Sequence, residues 1–177
     1  MTEIIVIGDP EDTALEQLIR RELSSTYRVL YIKGSEISAA GTGYELAVID
    51  CCSPVITGIN APVIVAKRSA GLPQTLPRSC TAIINSDDPG QLRAAERNGV
   101  FTVDCGISPT STVSFSSETE DTLMVSLNRS LRALSGREIQ PLEIPVSKRG
   151  ADDYTLMSFT ALRLLLDDFN SRLGELI

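Results

Sequence analysis

The most distinctive polar string in the chain is NSDDP, at residues 85–89. It follows an apolar run typical of a strand and precedes a run typical of a helix. Its side chains should therefore lie at the carboxyl end of a strand, where open α/β sheets form ligand crevices. Asn85, Asp87 and Asp88 could bind a ligand there. The same residue types also form Asx turns and helix caps, so a structural interpretation stays open.

A second candidate is Asp50, which directly follows the apolar run LAVI at residues 46–49. At the end of a buried strand, this carboxylate could hold Mg²⁺ or a substrate hydroxyl group. The alternative is an ordinary polar residue at the point where a strand reaches the surface. The adjacent Cys51 and Cys52 would be reactive only in surroundings that stabilise a thiolate.

The turn at residues 8–14, GDPEDTA, has the position of a phosphate-binding loop between a strand and a helix. Such loops use glycines, free backbone N–H groups and a lysine to hold anionic oxygens. This turn instead carries three carboxylates and a proline without an N–H, so a phosphate would meet like charge. We interpret it as a structural turn in which Asp9 caps a helix that begins at Pro10, with a ligand role as the alternative.

Metal chemistry has little support in the composition. The chain contains no histidine, and none of its four cysteines is spaced as C-x-x-C. Histidine is the commonest general base and completes mixed Cys/His zinc sites. We therefore predict reduced thiols, no bound metal, no cofactor and no catalytic residue of the usual kinds.

Short β-branched runs separated by helices or long connections indicate right-handed crossovers and a parallel sheet. One helix is predicted after the first turn, ending near Ser24, and a second from residues 86–88 to Gly99. Residues 35–44 are predicted to be a loop or a poor helix. The predicted strands of this part are residues 4–7, 29–32, 46–49, 62–66, 81–84 and 100–103.

The pattern changes after residue 107. Apolar and polar residues alternate at 112–116 and 123–127, and residues 139–146 are extended, all as in half-exposed antiparallel strands. A final apolar helix is predicted from Asp152 to Leu173. The fold class is therefore α/β with three layers: a mostly parallel, Rossmann-like or P-loop-like sheet, a C-terminal antiparallel β segment and a final helix. We expect residues 1–177 to form one domain.

Charge and hydropathy limit the partners. The net charge is −7 and 42% of residues are hydrophobic, which favours a folded chain that binds neither nucleic acid nor an anionic membrane. The first apolar run is about four residues long, too short for a signal peptide, and no run approaches the roughly 18–20 residues of a membrane span. We expect a cytoplasmic protein whose partner, a protein or a small molecule, and oligomeric state stay open.

Taken in order, these strings resemble the central ATP-binding domain of the Mur ligases and their folylpolyglutamate synthase relatives. Residues 4–8 (IIVIG) are similar to the strand that enters the family's phosphate loop. Residues 45–50 (ELAVID) look like the strand that ends in its metal-binding acid. Residues 85–89 are close to the family's N-x-D-D-P string, and the segment from Val103 to the final helix has the family's order of elements. The resemblance implies this fold.

The chain departs from the family pattern where the chemistry would be. The family loop reads G-T-x-G-K-T/S, and here Glu11 stands at its second glycine and Asp12 at its lysine, so that Gly8 and Thr13 alone match. The metal-binding histidine has no counterpart. The family's flanking substrate and amino-acid domains are also missing from the 177 residues. The resemblance therefore implies the fold rather than the activity.

Three hypotheses follow. The first is a non-catalytic Mur ligase-like domain with a degenerate phosphate loop that acts by protein or ligand binding. The second is a small nucleotide- or metal-binding enzyme that uses the same crevice. The third is a receiver-like signalling domain with Asp50 as the phosphate acceptor, although the lysine that receiver domains carry near their fifth strand is absent.

Overall fold

The structure, a computed structural model, describes residues 1–39, 42–54, 56 and 58–168. Ten of its strands form one mixed sheet in the order β12-β9-β8-β7-β6-β5-β1-β4-β2-β3, and β10 pairs with β11 separately. The strands are β1 Thr2–Ile7, β2 Val29–Lys33, β3 Glu36–Ala39, β4 Leu46–Cys51, β5 Val63–Ala66, β6 Thr81–Asn85, β7 Phe101–Cys105, β8 Val113–Glu118, β9 Thr122–Leu127, β10 Leu131–Arg132, β11 Glu138–Ile139 and β12 Leu142–Ser147.

The helices are few. They are α1 Ala14–Leu18, a π-helical segment π1 Ile19–Leu23, α2 Ser24–Thr26, α3 Pro89–Asn98 and α4 Asp153–Leu165. Eleven of the thirteen residues of α4 are buried, because it packs between the sheet and α1. The opposite face of the sheet is covered by α3 and by the irregular segments on either side of β5. The predicted three-layer α/β fold is confirmed.

The parallel part of the sheet follows the predicted apolar runs. β1 lies at its centre, with β4 and β5 as parallel neighbours, and β2, β6 and β7 continue the parallel order outward. β1, β4, β5 and β6 are buried on both faces along most of their length, which explains their continuous rather than alternating apolar pattern, whereas β2 and β7 are fully buried only at alternate residues. The alternating runs form β8, β9 and β12, whose antiparallel pairs extend the same sheet.

The prediction for residues 35–44 was wrong in part. Residues 36–39 form β3, an antiparallel edge strand paired with β2. The sequence carried no strand signal because this strand buries almost nothing: Ile37 is 70% exposed. Its place is set by pairing with β2 and by Arg20, which donates hydrogen bonds to Ser38 and Glu36.

Two predicted helix boundaries need correction: the start of the first helix and the end of the last one. The first helix begins at Ala14 rather than at Pro10, and Asp9 does not cap it, because the Asp9 carboxylate accepts a hydrogen bond from the Glu11 N–H within the turn. The final helix ends at Leu165 rather than at Leu173, since Asp167 adopts a left-handed conformation with φ of 60°. Residues 169–177 of the prediction lie outside the described residues.

Among the described residues, no helix is both long enough and apolar enough to cross a bilayer.

The four cysteines are unpaired and differ in accessibility. Burial raises the pKa of the Cys80 thiol to about 11 and that of Cys105 well above its usual range. Burial likewise raises the pKa of Cys51, while Cys52 is exposed. Because the thiolate is the reactive species, we expect Cys52 to be alkylated first at neutral pH, Cys51 more slowly, and Cys80 and Cys105 only after unfolding.

Peptide mapping after timed alkylation measures these rates one thiol at a time. Rapid modification of Cys105 in the folded protein would contradict the burial that the structure gives it. Four equal rates in denaturant provide the control, since unfolding removes the differences in burial.

Candidate functional site

The carboxyl ends of β1, β4 and β5 meet at the topological switch point of the sheet. After β1, the chain builds β2 and β4 on one side and then crosses to build β5, β6 and β7 on the other. Two main-chain bonds fasten the three strand ends: the Gly8 N–H donates to the Cys51 carbonyl at 3.1 Å, and the Lys67 N–H donates to the Ile7 carbonyl at 2.8 Å. Ligand crevices of open α/β sheets form at such a point.

The side chain of Lys67 fills this switch point. Its Nζ donates to the main-chain carbonyls of Asp9 at 2.8 Å and Asp12 at 2.7 Å, and to Oδ2 of Asp50 at 3.2 Å. Oδ1 of Asp50 lies 3.1 Å from the same nitrogen. The two side chains are 3% and 0% exposed, so this ion pair is removed from solvent. We call these four oxygens of Asp9, Asp12 and Asp50 the oxygen cage.

Tyr31 supports the cage from β2. Its hydroxyl group donates to Oδ2 of Asp50 at 3.1 Å. Burial raises the pKa of Tyr31 far above its usual range, and the charges of Asp50 and Glu16 act in the same direction. The hydroxyl therefore stays protonated and remains a donor. On the ring, the Arg20 guanidinium lies 4.1 Å from the centroid, a cation–π contact that fixes the ring against π1.

The turn that precedes α1 directs its carbonyls, rather than its amides, toward the cage. The Glu11 N–H donates to the Asp9 carboxylate at 2.9 Å, and the Asp12 N–H donates to the Asp9 carbonyl at 3.1 Å. The Ala14 N–H donates to the Asp12 carboxylate at 3.3 Å, and Pro10 has no N–H. A phosphate loop needs these donors for its ligand. Here the N–H groups of Glu11, Asp12 and Ala14 already donate to acceptors within the turn.

Gly8 is required at the start of the turn for a local reason. Its φ is 150°, and a Cβ built on it would lie 2.7 Å from Cβ and 2.9 Å from Cδ of Lys67. The absence of a side chain lets the Lys67 stem pass over the main chain of β1. The glycine that matches the first glycine of the family's loop therefore makes room for a side chain. Thr13, the other match, lies at the N-terminus of α1 and accepts a hydrogen bond from Gln17.

The NSDDP string is occupied by structural bonds. The Asn85 carbonyl oxygen Oδ1 accepts from the Asp87 N–H at 2.9 Å, and its Nδ2 donates to the Arg68 carbonyl at 3.0 Å. Of the three residues 86–88 that could cap this helix, it is Asp88 that caps α3, by accepting from the Gly90 N–H at 2.7 Å. Asp87 accepts from the Ile107 N–H at 3.1 Å.

The predicted site residues therefore form two groups. Gly8 and Asp50 meet at the cage, with Thr13 at the end of the same turn, whereas Asn85, Asp87 and Asp88 surround the start of α3. Gln91 connects the groups, since its side chain donates to the Lys67 carbonyl at 3.0 Å and accepts from the Asn85 N–H at 2.8 Å.

Sequence reasoning missed Lys67, the residue at the centre of the site. The available signal was its position: one of only three lysines in the chain, it directly follows the buried run PVIVA at residues 62–66. A lysine at the end of a central parallel strand reaches the same sheet edge as Asp50. What the sequence could not show is that the strands of Asp50 and Lys67 flank β1 on opposite sides.

No family model matches the sequence, and no curated protein sequence matches it significantly. Solved structures do match. The chain superimposes over 100% of its length on MurF from Acinetobacter baumannii, with a TM-score of 0.62 and 12% identity. It does so on a UDP-N-acetylmuramoyl-L-alanyl-D-glutamate–2,6-diaminopimelate ligase with a TM-score of 0.60 and 11% identity. The fold is that of a Mur ligase-like central domain.

A third solved structure also matches the chain. FolC from E. coli, solved in complex with DHPP and ADP, superimposes on 99% of this chain with a TM-score of 0.54 and 10% identity. The chain spans 46% of each of the two Mur ligase structures and 57% of the FolC structure. At these identities the Mur ligase-like resemblance is one of fold, and the predicted family of folds is confirmed.

The metal that the resemblance implies does not fit the residues of this crevice. Mg²⁺ prefers six oxygen ligands at about 2.0–2.1 Å, usually with phosphate and water among them. Here Asp50 is the carboxylate at the implied metal position, and it already contacts an ammonium group. Within the described part of the chain, no group of three or more His, Cys, Asp or Glu residues could hold a metal ion.

The first prediction from this geometry concerns the Lys67–Asp50 pair. Replacement of Asp50 by Asn should lower the free energy of unfolding by about 3–5 kcal/mol, because it leaves a buried ammonium group without a counter-charge. The double variant Lys67→Met with Asp50→Asn should be at least about 1 kcal/mol more stable than the sum of the single effects implies. Urea denaturation measures all three.

A second lysine–carboxylate pair provides the matched control. Lys33 Nζ lies 2.7 Å from Glu16 Oε2, with side chains 21% and 12% exposed. Lys33→Met should cost less than about 1 kcal/mol, since solvent screens this pair. Equal costs for Asp50→Asn and Lys33→Met would contradict the special role of the buried pair.

Proposed function

We propose that this chain is a non-catalytic Mur ligase-like domain with a degenerate phosphate loop, and that it acts by binding a protein or a small molecule. One observation carries the proposal: the place where a phosphate loop would receive its ligand holds the chain's own Lys67 ammonium, surrounded by carbonyl and carboxylate oxygens. The surroundings favour a cation, so they oppose a triphosphate in both charge and hydrogen-bonding polarity.

The acidic turn adds to this opposition. Asp12 stands where the family's loop has its lysine, and replacing attraction by repulsion at ~4 Å changes the interaction with a phosphate by roughly 2 kcal/mol even under water-like screening. That change corresponds to a factor of about 30 in affinity. The loss of the amide donors of Glu11, Asp12 and Ala14 comes in addition.

The lysine whose absence counted against a receiver-like domain is supplied by Lys67, which directly follows β5 and pairs with Asp50. The geometry opposes the two alternative functions on other grounds. A receiver-like domain needs a phosphate acceptor that solvent and donor can reach, whereas Asp50 is 2% exposed and paired with Lys67. An enzyme that used the same crevice would need groups free to contact substrate. The side chains of Asn85, Asp87 and Asp88 are instead engaged in the turn and cap before α3.

We also propose that residues 1–177 act as one cytoplasmic domain that binds neither nucleic acid nor membrane. The four unpaired cysteines suit a reducing compartment. The net charge of −7 disfavours both anionic partners. The activities of the complete Mur ligases and of FolC belong to chains about twice as long and are not assigned to this one.

A nucleotide titration tests the proposal. At 10 mM Mg·ATP, a dissociation constant of 1 mM would stabilise the protein by about 1.4 kcal/mol and raise Tm by about 3–6 °C. We expect no shift with Mg·ATP or Mg·ADP and no binding heat by calorimetry. UDP-linked compounds in the same screen search for a ligand of the proposed binding function.

The decisive variant is Asp12→Ala, with Glu120→Ala as its control, because Glu120 is an exposed carboxylate in the turn between β8 and β9. Binding of Mg·ATP tighter than about 1 mM that Asp12→Ala weakens and Glu120→Ala leaves unchanged would overturn the proposed function. Absence of binding in all three proteins supports it.

A further inference from the structure

The misfit between this crevice and a divalent metal points to a different ligand chemistry. The oxygen cage holds one formal negative charge, on Asp50, and two neutral carbonyls. A singly charged cation neutralises it, whereas a divalent ion would leave an uncompensated positive charge in a buried place. We propose that the oxygen cage is a site for a singly charged ammonium-type cation, and that Lys67 is its built-in occupant in place of a metal ion.

The count of donors and acceptors supports this assignment. An ammonium group has three N–H donors, and Nζ of Lys67 has three hydrogen-bond acceptors: the carbonyls of Asp9 and Asp12 and Oδ2 of Asp50. The distances of 2.7, 2.8 and 3.2 Å fall in or near the range of charge-assisted hydrogen bonds. All three protons are used, so none remains for a phosphate oxygen or another anionic ligand.

The cage is also held in place by its surroundings. The Tyr31 hydroxyl orients the Asp50 carboxylate from β2, and the hydrogen bond between the Asp12 N–H and the Asp9 carbonyl closes the turn that supplies both carbonyls. Gly8 leaves the channel through which the lysine stem enters. These features belong to β2, β4 and the turn after β1, and their convergence from separate elements is how a preorganised ligand site is built.

This inference rests on the proposed function, since both need a crevice that does not receive nucleotide. Its test uses no nucleotide. Binding of Mg·ATP to the wild-type chain would overturn the proposed function, whereas the cation preference of the cage is measured independently on a variant whose lysine has been removed.

The experiment is a chemical rescue. Lys67→Ala removes the three terminal carbons and the nitrogen of the side chain, a fragment with the size of n-propylammonium. We expect this cation to raise the Tm of Lys67→Ala saturably, by about 3–6 °C at ten times its dissociation constant. Tetramethylammonium has no N–H donor, and Mg²⁺ prefers a different ligand set. At equal ionic strength, each should raise the Tm of Lys67→Ala by less than about 1 °C, which is on the order of the measurement error.

Two proteins provide the controls. In Lys67→Met an uncharged side chain fills the stem's channel, so n-propylammonium should have no effect, and in the wild type the cage is already full. The proposal is overturned if Mg²⁺ or tetramethylammonium stabilises Lys67→Ala as well as n-propylammonium does. It is also overturned if a folded Lys67→Ala shows no rescue.

A measurement on the wild-type chain covers the case in which Lys67→Ala does not fold. The chain has only three lysines, Lys33, Lys67 and Lys148, so acetylation followed by peptide mapping reports each one. Lys67 should react at least about 100-fold more slowly than Lys33, because it must be exposed by opening of the structure first. Addition of Mg²⁺ should leave this protection unchanged. Acceleration at Lys67 by Mg²⁺ would show that the metal displaces the ammonium group and would refute the proposal.

Discussion

The buried ion pair between Lys67 and Asp50 is the constraint on which the centre of this protein depends. Removal of two charges from water costs several kcal/mol for each ion, and the mutual attraction offsets that cost only when the remaining hydrogen bonds are also made. The structure makes these bonds for the ammonium group and for one carboxylate oxygen: two main-chain carbonyls accept from Nζ of Lys67, and Tyr31 donates to Oδ2 of Asp50. The buried Oδ1 of Asp50 accepts no hydrogen bond and contacts Nζ at 3.1 Å. This requirement fixes where the turn after β1 must lie and which way its carbonyls face.

The consequence for the turn is a reversal of polarity. A phosphate loop and the turn at residues 8–13 occupy the same place between a first strand and a first helix, yet they present opposite dipoles to the space they enclose. Here the amides of Glu11, Asp12 and Ala14 bond within the turn, and α1 starts only at Ala14. The inward direction of the Asp9 and Asp12 carbonyls is therefore explained by the ammonium group at the switch point.

The residues of the NSDDP string take part in the local structure around α3. Asn85 closes an Asx turn, Asp88 caps α3, and Asp87 holds the main chain of Ile107 next to Gly106. Each of these bonds stabilises the connection between β6, α3 and β7. The string that most resembles the Mur ligases is thus compatible with a purely architectural role. Asp12 carries the opposite charge to the lysine of the family's loop, and Asp50, at the implied metal position, is paired with Lys67.

The amino-acid sequence by itself determined the local features whose causes are local. Continuous β-branched runs specified the central strands, residues 86–88 and Gly99 marked the limits of α3, and alternation after residue 107 specified the antiparallel strands. β3 was not predictable, because an exposed edge strand has no burial pattern, and its pairing with β2 decides its conformation. The candidate site was predicted only in part for a similar reason. Asp50 and Gly8 were identified from their positions at strand ends, but their partner Lys67 lies 17 and 59 residues away in the chain. Only the order of strands, with β1 between β4 and β5, places that lysine against both, and with it decides that the crevice holds a cation of the protein's own.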